Sequence, residues 1–88
     1  MTPAQAQLNQ DIADLFLAKA HVLEAKGERY KFRALAYLRA ARAIQQLDRG
    51  LDDIYLHGWL TGLEKIKGIG NRLAHDIETE LRQRGIHK

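Results

Sequence analysis

The stretch Ile66-Lys67-Gly68-Ile69-Gly70-Asn71-Arg72-Leu73-Ala74 decides the fold of this chain. Two glycines separated by one apolar residue permit a tight turn with positive φ. After them Leu73, Ala74, Ile77 and Leu81 recur at helical spacing. Before them Thr61-Gly62-Leu63-Glu64 fits a capping box, and Leu60, Leu63 and Ile66 fall on one side of a short helix. The spacing therefore predicts helix, turn and helix over residues 61–84. Such a turn exposes consecutive backbone N–H groups at the positive end of the second helix, which together hold one phosphate. Ile69 is placed to plug into the core, Lys67 and Arg72 flank the anion position, and Asn71 opens the helix. Gly85 and Ile86 predict a Schellman end, with Arg82 and Arg84 at the negative end of the dipole. No strand precedes the turn and no third glycine follows, so a dinucleotide-binding loop is excluded.

Working outward, Leu8, Ile12, Leu15, Phe16, Val22 and Leu23 form a helical stripe that Gly27 ends. Two starts compete. Asn9 can cap an ordered core beginning near Leu8, or Thr2 can cap it with Pro3 at the first helical position and Gln5 closing a capping box. The start near Leu8 is preferred, leaving residues 1–7 outside the ordered core. From Tyr30 to Leu47 the apolar positions are Phe32, Leu35, Ala36, Ala40, Ala43, Ile44 and Leu47, and so much alanine lets another helix approach closely. A third element, Asp52 to His57, lies between Gly50 and Gly58. No run alternates with period two, so the fold class is all-α: one domain over 1–88, a compact bundle of four to five helices with the hairpin at its C-terminal end.

With 88 residues there is room for one small domain and none for a large substrate-enclosing cleft. The absence of cysteine leaves burial alone to hold the fold and suits a reducing cytoplasm. The N-terminus has no signal-peptide pattern and no window approaches the roughly 20 apolar residues of a membrane span, so a soluble monomer with no membrane partner is expected. The net charge of +3 is small, but residues 26–50 carry seven positive and two negative side chains. Arg33, Arg39 and Arg42 on the second helix give that segment the character of an anion-binding face. A solvated helix face explains the charge equally well, and the hairpin breaks the tie.

Gly68-Ile69-Gly70-Asn71-Arg72-Leu73-Ala74, followed by Ile77, resembles the helix-hairpin-helix motif. The run Phe32-Arg33-Ala34 through Ala36-Tyr37, Ala40-Ala41 and Ala43-Ile44 resembles the N-terminal domain of family X DNA polymerases, the polymerase beta-like domain. The likeness spans roughly residues 8–85. It implies sequence-independent binding of single-stranded, gapped or nicked DNA in DNA repair, with nucleoid-associated or nuclear placement. By position, the implied phosphate contacts are Gly68, Gly70 and Arg72, with Arg33 and Arg39 from the second helix. Main-chain carbonyls of Glu64, Ile66 and Ile69 would hold a Na or K ion. The family's proline before the first glycine is Lys67 here. The polymerase beta domain uses a lysine as a Schiff-base nucleophile to remove a deoxyribose phosphate, and that position is Asp76, which has no amine. No lyase activity by that mechanism is expected, and no polymerase domain lies within these residues.

Other candidates are weaker. His21, His57, His75 and His87 show no i, i+4 pairing and predict no metal site. Asp52 and Asp53 suit a helix N-terminus better than paired acid–base catalysis. Trp59 could stack on a base but is read as core beside Leu60, and Tyr37 is a candidate for base or sugar contact beside the basic face. Two alternatives stay open: a protein-interaction module, marked by an exposed apolar patch, and a lyase that uses a displaced lysine such as Lys65 or Lys67.

Overall fold

The computed structural model describes residues 1–87. Helix α1 runs Pro3–Ala25, a single 3-10 turn Glu28–Tyr30 leads into α2 at Lys31–Gln45, α3 spans Leu51–Glu64 and α4 Asn71–Gln83. The described residues contain no strand, as the periodicity requires. Helices α1 and α2 form one close pair and α3 and α4 a second.

Helix α1 starts at the Thr2 cap and not near Leu8. The Thr2 hydroxyl accepts the Gln5 N–H at 3.1 Å, the Gln5 side chain accepts the Thr2 N–H at 3.0 Å, and Pro3 takes the first helical position. With two orphan donors satisfied reciprocally, the helix starts five residues before Leu8, and residues 3–7 belong to it. Asn9, the other proposed cap, is buried mid-helix and caps a different element. Its Oδ1 accepts the Leu51 N–H at 2.8 Å and its Nδ2 donates to the Arg49 carbonyl at 2.9 Å, fixing the start of α3 against α1.

The pairing of α1 with α2 rests on small residues. Ala13 and Ala20 of α1 and Ala34, Ala40 and Ala41 of α2 are fully or almost fully buried, around Ile12, Phe16 and Ile44. A helix surface without long side chains lets the two backbones close together, so each large side chain meets a full set of neighbours. This geometry overturns part of the expected stripe. The buried face of α2 is Ala34, Tyr37, Ala40, Ala41 and Ile44, while Phe32 is 83% exposed and Leu35 is also exposed. On α1, Val22 is 57% exposed. The buried face is chosen by who can approach α1 closely, and alanine wins that contest against phenylalanine.

Helix α3 holds Leu51, Ile54, Tyr55 and Leu63 in the core and breaks at Trp59, whose φ of 55° and ψ of −150° are not helical. The two separate elements expected here are thus present, as two helical segments that meet at this kink. The hydroxyl of Thr61 takes no part in a cap among the described residues, and the Glu64 carboxylate turns instead to Asn71. Trp59 is 40% exposed and sets its ring edge-to-face against Tyr55 at 5.4 Å, so it covers the core rather than filling it. Helix α4 buries Leu73, Ala74, Ile77 and Leu81 and closes as expected: Gly85 has φ 81°, its N–H reaches the Arg82 carbonyl at 3.0 Å, and the Ile86 N–H reaches that of Leu81 at 2.9 Å.

Candidate nucleic-acid interface

The turn between α3 and α4 is built as its residues dictate. Gly68 has φ 95°, a region that side chains avoid, and a Cβ there would lie 3.5 Å from the Ala43 Cβ and 3.7 Å from the Arg39 carbonyl. The hairpin thus rests directly on α2. Ile69, 4% exposed, is the plug, and its N–H bonds the Ile66 carbonyl at 3.0 Å. Gly70 is the N-cap of α4, in extended backbone at φ −90°, and an added Cβ would meet nothing within 4 Å. Its glycine is therefore not demanded by sterics or by φ.

The Gly70 carbonyl accepts the Ala74 N–H at 2.9 Å, the first bond of α4, and no side chain caps the helix. The amides of Asn71, Arg72 and Leu73 lie ahead of that bond, where a helix carries its partial positive charge. The Asn71 side chain is turned away from them, donating to Glu64 at 2.9 Å and bracing the two arms of the hairpin.

A groove of about 380 Å³ runs over these amides. One wall is α2, through Arg33, Ala36, Tyr37 and Arg39. The other is the hairpin, through Gly68, Gly70, Asn71, Arg72 and Leu73. Seven residues expected to contact phosphate or sugar are thus brought together: Arg33, Tyr37, Arg39, Gly68, Gly70, Asn71 and Arg72. Two others, Lys67 and Arg42, are exposed but do not line it. No carboxylate pairs with Arg33, Arg39 or Arg72 among the described residues, whose salt bridges are Arg49–Asp53, His57–Asp53 and Arg84–Glu80. Three arginines that line one groove with no salt bridge to a carboxylate favour an anion there. Ala36 and Leu73 were missed, although Arg33, Ala36 and Arg39 at i, i+3 and i+6 mark a single face of the helix.

Tyr37 lines the groove as a mostly buried side chain. It is 8% exposed and its ring packs edge-to-face on Phe16 at 5.3 Å. Its hydroxyl donates to the Asp76 carboxylate at 2.6 Å, tying α2 to α4 beneath the groove. Burial raises the Tyr37 phenol above its ordinary value, Asp76 adds to the rise, and Arg72 and Arg33 oppose it. Asp76, at the position where the resemblance puts a catalytic lysine, is thus engaged in a structural hydrogen bond.

For the monovalent cation implied by the resemblance, the carbonyls of Glu64 and Ile69 receive no backbone N–H among the described residues, while that of Ile66 accepts one and keeps its second lone pair. The donor set is compatible with a hard, weakly bound cation. No cluster of three or more metal-ligating side chains occurs among the described residues, and no helix is long and apolar enough to cross a membrane. His57 and His75 instead sit against the backbone oxygens of Asp53 and Asn71, four residues before each. Arg49 holds the Asp53 carboxyl below its usual range at the start of α3, the helix N-terminal role expected of it.

A family model described as a helix-hairpin-helix domain matches residues 7–85. Searches of curated proteins and of solved structures gave no match.

Proposed function

The chain belongs to the helix-hairpin-helix domain family, and from that premise we propose that it binds DNA without sequence preference by gripping backbone phosphate in the groove between α2 and the hairpin. Domains of this kind commonly bind DNA non-specifically. The observation that carries the reading for this chain is that Arg33, Arg39 and Arg72 line one groove with the start of α4, which no side chain caps. Amides and guanidiniums contact phosphate, which is the same at every base pair, so such a site positions a strand and does not read it.

The finer part of the proposal is the polymerase beta-like role. We read single-stranded, gapped or nicked DNA as the preferred form, and a domain that anchors rather than cuts. Asp76 offers a carboxylate where a Schiff base needs an amine. Its negative charge and its bond to Tyr37 both argue against a nucleophile at this point. A Na or K ion, if taken, would be held by the Glu64, Ile66 and Ile69 carbonyls, where it supplies one more positive charge beside the phosphate.

Titration with single-stranded or gapped DNA at low salt, followed by amide NMR, tests the reading. Shifts centred on Gly68, Gly70 and Arg72 are expected, with two to four phosphate contacts giving a dissociation constant of about 10⁻⁴–10⁻⁶ M that weakens steeply with salt. Amides of the hairpin that stay still through the titration would refute it. The second reading, a protein-interaction module, draws its support from the exposure of Phe32 and Val22. It requires the shifts to appear on those residues with a protein partner and not with DNA.

A further inference from the structure

We propose that a second cavity, between α1 and the start of α2, receives one unpaired nucleobase of the strand whose phosphate lies in the hairpin groove. The inference rests on the DNA-binding reading above and adds to it a site for the part of the nucleotide that the hairpin leaves untouched. The cavity measures about 310 Å³ and is lined by Ala18, Lys19, Val22, Leu23, Arg33 and Tyr37. It shares Arg33 and Tyr37 with the phosphate groove. The two hollows therefore adjoin across one guanidinium and one phenol, as the base and phosphate of a single nucleotide adjoin across its sugar.

Its chemistry fits a base better than a second phosphate. The walls are aliphatic, from Ala18, Val22 and Leu23, and Val22 keeps 57% of its surface exposed although it falls within the apolar stripe of α1. A base presents two apolar faces and an edge of ring nitrogens and carbonyl oxygens that accept hydrogen bonds. A cation stands ready for that edge. The Lys19 ammonium lies 5.7 Å from the centre of the Phe16 ring and 5.8 Å from that of Tyr37, a position that holds the side chain in place at the cavity wall. Arg33, on the shared rim, can lie flat against a base while its charge serves the phosphate. Nothing in this set distinguishes one base from another, so the pocket is sequence-tolerant. A base inside a duplex is stacked and paired and cannot enter, so the pocket selects single-stranded or gapped DNA over intact duplex.

The test compares two strands with the same phosphates: a short single-stranded oligonucleotide and one of equal length in which abasic tetrahydrofuran residues replace the nucleosides. The whole chain is used, with NMR of the Val22 and Leu23 methyl groups. The intact strand is expected to bind about five-fold tighter or more, since stacking contacts contribute on that scale, and to shift both methyls, while the abasic strand leaves them still. Val22→Asn and Lys19→Met are each expected to shrink the difference between strands without weakening the abasic one, circular dichroism melting confirming that each variant is folded. Equal affinity for both strands with silent methyls overturns the base pocket and leaves the phosphate site standing. Failure of both strands to bind removes the phosphate reading, and the pocket with it. Variants that weaken both strands alike also overturn the proposal, because the residues would then act through the fold.

Discussion

Gly70→Asp separates what the hairpin needs for folding from what it needs for binding. The position is the N-cap of α4, its backbone already lies in the extended region that N-cap residues adopt, and a Cβ meets nothing within 4 Å. An aspartate there can fold its carboxylate onto the amides of Arg72 or Leu73, which no side chain now caps. Replacing glycine restricts the unfolded chain, worth about 0.4–1 kcal/mol, and the cap and its charge at the positive end of the helix add about 0.3–1 kcal/mol. The sum, about 1–2 kcal/mol, corresponds to a rise in Tm of roughly 4–15 °C for a domain of this size. The same carboxylate occupies the amides that the phosphate would take and opposes its charge. Affinity for single-stranded DNA should therefore fall about ten-fold or more, and the slope of log K against log salt should become shallower by about 0.7, the value of one lost phosphate. Calorimetry gives the first quantity and fluorescence anisotropy over a salt series the second. A variant that melts higher but binds DNA with unchanged affinity and unchanged salt slope would refute the assignment of the phosphate to these amides.

The other glycine behaves in the opposite way. Gly68→Ala forces a side chain to φ 95°, costing about 1–3 kcal/mol of strain, less about 0.4–1 kcal/mol from the restricted unfolded chain. The expected result in urea denaturation is a net loss of about 1–2 kcal/mol, and an unchanged midpoint would show that the turn is not held as described. Alkaline titration probes the buried phenols. Burial first, then the hydrogen bonds to Asp76 and Glu78, raise Tyr37 and Tyr55 above the ordinary 10.0. The unfolded chain therefore releases these protons at lower pH than the fold does, so their contribution is intact below about pH 10 and is lost as pH rises beyond it. Stability measured between pH 8 and 11 should fall above pH 10, and the fall should be smaller in Tyr37→Phe. An identical fall in that variant would remove Tyr37 as a cause.

The hairpin was legible because each of its residues carries a local reason: a glycine for positive φ, Ile69 for the plug, Ala74 for close packing and Gly85 with Ile86 for the closing turn. Arg33 and Arg39 were legible as a basic face, and the groove confirms that they share it with the hairpin. What failed required knowledge of the partner surface. Helix α2 has apolar residues around much of its circumference, so periodicity alone could not tell that Ala34 and Ala41 face α1 while Phe32 faces outward. The hydrogen bond from Tyr37 to Asp76 was likewise hidden, because its acceptor lies 39 residues away. The end of the first α3 segment was marked by Gly58, yet the positive φ falls on the next residue, Trp59. Glycine frequency indicates that a turn is near, not which residue bears it. Gly62 instead serves the close approach of the two halves of α3, since a Cβ there would lie 3.0 Å from the Ile54 carbonyl.

The two walls of the groove come from residues 33–39 and 68–73, far apart in the chain and adjacent only after α2 and the hairpin have docked. A ligand that needs both walls meets no fragment of its site in the unfolded chain. Binding and folding then draw on one linked equilibrium, and each molecule of ligand bound at the groove withdraws a folded chain from the unfolding reaction. The stability of so small a domain becomes a function of how much ligand surrounds it: at a free ligand concentration one hundred times the dissociation constant the fold gains about 2.7 kcal/mol without a single new contact inside the protein.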